Sequence, residues 1–271
     1  MVVEDDSKSF VTQRKIPRLA LIQPELTSDA MILHFPGQSP LQVSLSQTNV
    51  TEKHVKVSVW EDRVWAFDLG DEAAGWIHEA LLEKRSESKP RFRLVRFDES
   101  EQRMIDEKYR KNESETVLFS DGFPFLLASS ESLQQLNDWI GNSQAPLPMN
   151  RFRPNFEVSG WRSPFGEDSW EQIRINSSVF RVSKPCSRCV IPTIDQTTGI
   201  RSSTEPTKTL RKKRYLDKKD AVYFAQNLVL EVSSCDKSHE IQGIISVGDQ
   251  VEILGTYPWF SSYKHRIKSS T

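Results

Sequence analysis

Short apolar stretches, many of them alternating with a two-residue period, recur along most of the chain. Such stretches, bounded by turn-forming Gly, Pro, Asn, Asp and Ser, are typical of β-strands. They lie at 18–26, 30–35, 41–46, 54–60, 62–70 and 90–97, and again at 155–161, 171–176, 179–185, 221–232 and 243–254. Many short strands with few helices predict a mainly β fold with peripheral helices (α+β) around a β-barrel-like core.

Three segments change to a helical period. The first is 71–85, which carries two carboxylates in its first turn, where they suit the helix dipole. The second runs from a predicted N-cap at Ser130 to a stop at Gly141, and 207–219 is a short basic helix. The charged, poorly periodic stretch 98–116 is predicted to be an exposed loop or a connector between domains.

Composition narrows the class of protein. The chain has 271 residues, 37% hydrophobic residues and a net charge of −1, so no global field favours nucleic acid or an anionic membrane. No apolar run reaches the ~18 residues of a membrane span, and the acidic N-terminus is not a signal or transit peptide. Three cysteines make no disulfide framework, and Cys235 is expected to be a bystander. The low cysteine count therefore predicts that the protein lies in a reducing intracellular compartment, either the cytosol or the mitochondrion.

Cys186 and Cys189 form a C-x-x-C whose chemistry the residues alone leave open. Zinc is disfavoured because no second C-x-x-C and no paired histidines exist. A thioredoxin-like pair is disfavoured because the following V-I-P-T does not favour a helix. A buried structural pair leads on composition, but Arg181, Lys184 and Arg188 make the segment electropositive, which favours the thiolate that binds soft metals.

Three further stretches carry weaker signals. N-R-F-R-P-N at 150–155 supplies guanidinium and amide donors suited to phosphate or a planar heterocycle, or else is a solvated strand entry. S-D-G at 120–122 fits a turn better than a site when taken alone, and the basic run 211–219 fits a solvated face. The chain contains no G-x-G-x-x-G, P-loop, G-x-S-x-G or H-E-x-x-H.

Together these stretches resemble one family. NRFRPNFEVSG, PFGEDSWEQIRIN, KPCSRCVIPTIDQTTG and EPTKTL, in this order, resemble MOSC-domain molybdenum-cofactor proteins of the mitochondrial amidoxime-reducing component type. TQRKIPRLALI, RLVRF and SDGFPFLLAS resemble the same family's N-terminal β domain and its junction. The resemblance covers nearly the whole chain and implies a smaller MOSC N-terminal-type β domain at 1–97, shortened at its start, and a MOSC domain at 98–260.

The resemblance also implies the site residues. Cys189 corresponds to the molybdenum ligand, and Cys186 to a non-ligand, structural position. Asp121 corresponds to a catalytic residue at the molybdenum centre. The remaining expected cofactor contacts are Arg153, Asn155, Ser187, Arg188 and Ser120. Pyridoxal phosphate binding is a further expectation, to which no residue is assigned.

The implied activity is the reduction of N-hydroxylated compounds, such as amidoximes and hydroxylamines, with the molybdenum cofactor (Mo-molybdopterin) carrying the redox chemistry. Electrons would come from a separate donor, either cytochrome b5 with its reductase or a ferredoxin- or flavin-type protein. No nucleic-acid partner is expected. The alternative is a catalytically incomplete MOSC scaffold with an interaction role, or a sulfur carrier that uses Cys189 as a persulfide site.

This sequence departs from the family at its start. The family's P-[IV]-K-S and D-R-x-W motifs, whose Lys, Ser and Arg hold the cofactor's terminal phosphate, do not occur ahead of the M-V-V stretch. Each charge-assisted hydrogen bond lost is worth about 1.5–3 kcal/mol. We therefore expect a shortened form that binds the cofactor weakly or not at all.

Overall fold

The computed structural model describes residues 1–45, 53–82, 92–201, 203–216, 220–231 and 243–257. The chain falls into two compact units. The first contains the described residues of 1–103, 117–121 and 194–202, and the second those of 104–116, 122–193 and 203–271. The domain limits at 1–97 and 98–260 stay a prediction.

The first unit contains seven strands and one helix. The strands are β1 (Val2–Glu4), β2 (Gln23–Leu26), β3 (Ala30–Phe35), β4 (Gln38–Ser44), β5 (His54–Val59), β6 (Asp62–Asp68) and β7 (Phe92–Phe97). Helix α1 spans Gly70–Leu81. The strands form two antiparallel sheets, with the orders β1-β7-β6-β5 and β2-β3-β4.

Helix α1 supplies the centre of this unit's larger core. Its apolar face buries Ala73, Ile77 and Leu81, which pack with Phe92 of β7 and Leu33 of β3. Each fully buried Leu, Ile or Phe side chain contributes about 1.5–3 kcal/mol. The helix therefore joins the faces of both sheets.

The second unit is built on one large sheet. Two short strands, β8 (Arg103–Met104) and β9 (Thr116–Val117), fall at the sequence limits of the two units. The strands of the second unit are β10 (Phe125–Ser129), β11 (Phe156–Val158), β12 (Trp170–Ile175), β13 (Ser178–Ser187), β14 (Tyr215–Leu216), β15 (Ala221–Leu230) and β16 (Val251–Thr256). The helices are α2 (Ser130–Ile140) and α3 (Thr207–Lys213). The order is β11-β10-β15-β13-β12-β16, with β14 beside β15, while β8 and β9 make a separate ribbon. All these pairings in the large sheet are antiparallel except β10 with β11.

The core of the second unit lies partly between this sheet and the helices. Leu136 of α2 and Leu210 of α3 pack in one buried cluster with Phe152 and Phe224. The rings of Phe152 and Phe224 stack with 4.0 Å between centroids. This packing fixes the loop that carries Phe152 against strand β15.

The prediction of a mainly β fold with peripheral helices is confirmed, and four local predictions are corrected. Residues Pro17–Leu21 form a 3-10 helix rather than a strand, since Pro17 opens the turn. The N-cap of α2 is Ser129, not Ser130, because the Ser129 hydroxyl accepts from the Ser132 amide at 3.1 Å. In the stretch 243–254, regular strand begins only at Val251.

The stretch 98–116 is the fourth correction, because it is not simply an exposed loop. Arg103 and Glu115 are both buried, at 5% exposure each. Both find ion-pair partners far along the chain, Asp62 and Arg181 respectively. Charge along a sequence window does not reveal such partners.

No helix in the part of the chain that the structure describes is long and apolar enough to cross a membrane. The predicted bystander Cys235 lies outside the described residues, as does the end of the predicted basic helix at 217–219.

Candidate functional site

The C-S-R-C segment lies at the distorted end of strand β13. Pairing of β13 with β15 shifts register twice before Ser187, which is exposed and faces Tyr223. On the partner strand the buried Ala225 has φ of 73°, a left-handed conformation unusual for a non-glycine residue. Bulges of this kind bend a strand and redirect its side chains, and they recur beside active sites. Here they change the course of β13 just before Cys189.

Cys189 has a free, half-buried thiol. Its Sγ accepts a hydrogen bond from the Ile191 amide at 3.4 Å, at the start of a single 3-10 turn, Ile191–Thr193. Within the described residues no group of three or more His, Cys, Asp or Glu could hold a metal ion by itself. A thiolate at this position could serve as one ligand to a soft metal.

Arg188 joins the C-S-R-C segment to the N-R-F-R-P-N segment. Its guanidinium donates to the Phe152 carbonyl at 2.9 Å and to the Cys186 Sγ at 3.1 Å. It also lies 5.5 Å from the centroid of the Phe152 ring. Two segments singled out separately in the sequence are thus brought together within the second unit.

The N-R-F-R-P-N segment uses some of its polar groups for the fold. The Asn155 amide donates to the Leu126 carbonyl at 2.8 Å, and its side-chain Oδ1 accepts from the Leu126 amide at 2.9 Å. Arg151 is buried, whereas Arg153 is exposed, with a φ of 56°. Arg153 is therefore the guanidinium of this segment that is presented at the surface.

The expected positive field around the cysteines is smaller than the sequence implies. Arg181 is buried and its guanidinium forms an ion pair with Glu115 at 2.7 Å, which offsets its charge. The Lys184 ammonium lies 5.0 and 5.3 Å from the ring centroids of Tyr109 and Phe123, a cation–π arrangement. Arg188 is the cation that contacts a cysteine sulfur.

Ser120 and Asp121 belong to the first unit, and a residue that the sequence did not single out fixes their backbone. The buried Arg103 guanidinium donates to the carbonyls of Ser120 and Asp121, the latter at 2.6 Å, and to that of Leu118 at 3.1 Å. Its Nε donates to Asp62 at 2.6 Å. Four charge-assisted hydrogen bonds on one buried cation hold this turn in a defined backbone conformation.

The Asp121 carboxylate is exposed, and the indole of Trp60 contacts it. Trp60 Nε1 donates to Oδ1 at 3.1 Å, and Arg14 approaches Oδ2 at 3.7 Å. The sequence offered one signal for Trp60, its position in a tight turn between two strands.

Comparison with known proteins gives two family matches. Residues 1–84 match the MOSC N-terminal beta barrel domain, and residues 114–252 match the MOSC domain. Human mitochondrial amidoxime-reducing component 1 is 30% identical over 264 residues, which cover 94% of this chain and 72% of that protein. Rat mitochondrial amidoxime reducing component 2 is 31% identical over 226 residues, covering 80% and 62%.

A second group of relatives carries another name. Molybdenum cofactor sulfurase 2 of Culex quinquefasciatus is 32% identical over 221 residues, covering 77% of this chain but 27% of that protein. Among solved structures, a solution structure of a Bordetella bronchiseptica protein matches 37% of this chain at 23% identity. Its TM-score of 0.30 is too low to support an argument.

Proposed function

This chain belongs to the MOSC-domain family of the mitochondrial amidoxime-reducing component type, and on that premise we propose that it is a molybdenum-cofactor-dependent reductase of N-hydroxylated compounds. Its function lies among molybdenum-cofactor-related proteins, because its relatives are named amidoxime-reducing components and molybdenum cofactor sulfurases. One observation carries the proposal. Arg188 joins the turn that bears the free Cys189 thiol to the loop that bears Arg153.

In this proposal Cys189 binds the metal through its thiolate, which the Ile191 amide would help to orient. When bound, the molybdenum cofactor would supply the two-electron redox chemistry of the reduction. Arg153, exposed on its turn, is the residue proposed to contact the pterin electrostatically.

The hydrogen bonds that the other proposed cofactor-binding residues already make within the protein limit how each could contact the cofactor. Asn155 retains its Nδ2 donors for the pterin, because its Oδ1 is bound to the Leu126 amide. Arg188 supports the cofactor indirectly, since its guanidinium holds Phe152 and Cys186. Ser187, exposed at the end of β13, would contribute its hydroxyl and backbone.

Asp121, with Ser120 beside it, is proposed to act on the substrate side of the reaction. Its carboxylate is 70% exposed and therefore accessible to a small molecule. A carboxylate can accept a hydrogen bond from a substrate hydroxyl or amine and can hold a proton that the reaction consumes. Amidoximes and hydroxylamines present both kinds of donor.

A separate protein would deliver the electrons. The chain has three cysteines and no dinucleotide-binding glycine motif, so it offers neither the four thiolates of a typical iron–sulfur cluster nor a flavin fingerprint. We propose cytochrome b5 with its reductase, or a ferredoxin- or flavin-type protein, in the cytosol or mitochondrion. Pyridoxal phosphate binding gains no support from the described residues or the relatives' names.

The proposal is tested by measuring molybdenum in the chain purified from cells that make the cofactor. Wild type, Cys189→Ala and the matched control Cys186→Ala are compared by inductively coupled plasma mass spectrometry. Because the missing phosphate-binding motifs predict weak retention, we expect partial molybdenum occupancy in wild type and Cys186→Ala and none in Cys189→Ala. Amidoxime reduction with a chemical electron donor should occur only where molybdenum is present. Wild-type protein without molybdenum even at a saturating cofactor supply, or equal metal in both variants, would contradict the proposal.

A second candidate function, sulfur carriage on Cys189, is supported by the relatives named molybdenum cofactor sulfurases. A free, half-buried thiol such as Cys189 is accessible enough to carry a persulfide. In that case metal-free protein would carry a persulfide on Cys189 and not on Cys186. Intact-protein mass spectrometry after alkylation, with and without reduction, separates this outcome from the reductase.

A further inference from the structure

The loop between strands β5 and β6 places a tryptophan in a strained conformation. Val59 pairs with Asp62, so Trp60 and Glu61 form a two-residue hairpin loop. Trp60 has φ of 57°, which such loops normally assign to Gly, Asn or Asp. Its side chain is also 45% exposed. A large aromatic residue at a left-handed position and partly in water is a strain that points to a function.

The contacts of Trp60 show what the strain accomplishes. Its Nε1 donates to Oδ1 of Asp121 at 3.1 Å. The Arg14 guanidinium lies 4.4 Å above the indole ring, and its NH2 is 3.7 Å from the other carboxylate oxygen. The rings of Phe10 and Trp60 pack edge to face, with 4.9 Å between their centroids. The indole is therefore held on two sides while its N–H points to Asp121.

The same hairpin also fixes the backbone of Asp121. Asp62, the residue after the loop, binds the Nε of Arg103, and Arg103 donates to the Asp121 carbonyl. With the backbone fixed, the orientation of the carboxylate depends on its own side-chain rotamer. An Asp side chain that is 70% exposed would exchange between rotamers without a partner.

We propose that Trp60 is a positioning residue that holds the Asp121 carboxylate in one orientation for the reduction of N-hydroxylated substrates. The inference rests on the proposed function, because it assigns Trp60 a role through Asp121. The N–H bond engages Oδ1, while Arg14, seated on the indole ring, approaches Oδ2, so the indole fixes both ends of the carboxylate. Preorganising a reacting group in this way raises the turnover number more than substrate affinity.

The test uses Trp60→Phe, which keeps a ring for Arg14 and Phe10 but removes the N–H donor. Its matched control is Trp65→Phe in strand β6, where the indole stacks on His54 at 4.8 Å. With molybdenum-loaded protein we expect Trp60→Phe to lower kcat about three- to tenfold at unchanged KM, the range that one hydrogen bond supplies. Trp65→Phe should leave both parameters unchanged.

Two readouts separate positioning from a general structural effect. In an Asp121→Asn background, Trp60→Phe should have no further effect on kcat. If Trp60→Phe acted through an unrelated structural change, its fold-loss in kcat would multiply with that of Asp121→Asn. In cofactor-free, nitrogen-15-labelled protein, the Trp60 indole N–H resonance should move in Asp121→Asn while the Trp65 resonance stays in place. A stationary Trp60 resonance would overturn the contact itself.

The kinetic outcomes distinguish the two proposals. An active wild type with an equally active Trp60→Phe would overturn the inference and leave the reductase proposal standing. An inactive wild type that contains molybdenum would overturn both. A loss of kcat that multiplies with Asp121→Asn would show that Trp60 acts independently of Asp121, and would also overturn the inference.

Discussion

Arg214, next to helix α3, sits in a buried ion pair whose removal should be costly. Its guanidinium lies 2.7 Å from Asp168, and the two side chains are 5% and 2% exposed. Gln226 of β15 donates to the same carboxylate at 2.6 Å. Arg214→Met keeps most of the aliphatic side chain against Phe165 but leaves Asp168 charged with one neutral donor. The variant removes the charge of the pair together with the bond that the Arg214 Nε donates to the Tyr223 carbonyl at 3.3 Å.

The expected loss follows from the burial of both partners. Removing one member of a buried ion pair costs about 3–5 kcal/mol, because the remaining charge stays out of water without compensation. At roughly 2–4 °C for each kcal/mol, the melting temperature should fall by about 6–20 °C. Arg214→Met with Asp168→Asn removes both charges, and the asparagine still accepts from Gln226. The double variant should lie within about 2 kcal/mol of wild type.

Urea unfolding followed by tryptophan fluorescence gives the free energies for the double-mutant cycle. Arg211→Met is the matched control on α3, since its ion pair with Asp220 is 58% and 77% exposed. A surface pair of this kind contributes about 0–1 kcal/mol. The reasoning is refuted if Arg214→Met costs no more than Arg211→Met, or if the double variant loses the sum of the single losses.

Two further predictions concern the site segment and the buried acid. Arg188→Gln should raise the rate of backbone amide hydrogen exchange across 186–191 about tenfold, because it loses the charge-assisted bond to the Phe152 carbonyl. Cys186→Ala keeps that bond and should change the exchange rate less. Equal protection in both variants would contradict this. Burial raises the pKa of Glu167, and Asp168 raises it further. The folded protein keeps the Glu167 proton to a higher pH than the unfolded chain does. The stability that this proton contributes is therefore present at low pH and is lost as pH rises through the folded pKa. Glu167→Gln should remove this pH-dependent loss. If the unfolding free energies of wild type and Glu167→Gln changed in parallel with pH, Glu167 would not be its source.

The elements that sequence could predict are those specified by their own periodicity. Strands β5 and β6 alternate buried and exposed residues, and α1 repeats its apolar residues on one face. Both patterns report which side faces a core, whatever that core contains. For this reason the mainly β class could be predicted without knowing how the strands pair.

The local errors arose where a distant partner decides the structure. Ser129 and Ser130 are equally good N-cap residues in sequence, but Ser129 is the last residue of β10 and its hydroxyl also reaches buried Glu167. Arg103 looks solvated among acidic neighbours, yet Asp62 lies 41 positions earlier and binds it. Glu167 and Asp62 both lie far outside a local sequence window, so their contacts cannot be predicted from one.

In the candidate site, too, the sequence indicates which residue types are present but not which distant residues they contact. The motifs point to the segments around Cys189 and Asp121, but not to Trp60, whose proposed role depends on a hairpin 61 positions away from Asp121 in sequence. Within the motifs, Arg188 and Asn155 use several of their polar groups on Phe152, Cys186 and Leu126.

This double use determines how variants in the motifs must be read. A fall in bound molybdenum after Arg188→Gln or Asn155→Ala would combine a lost cofactor contact with a loosened loop, so metal content alone cannot assign a cofactor contact to either residue. Arg153 is exposed, with a left-handed φ of 56°, so a substitution there also bears on the backbone of the loop. For all three residues the urea unfolding free energy of the metal-free variant therefore has to be measured beside its molybdenum content. A fall in molybdenum at unchanged stability points to a lost cofactor contact, whereas a fall in both points to a loosened loop.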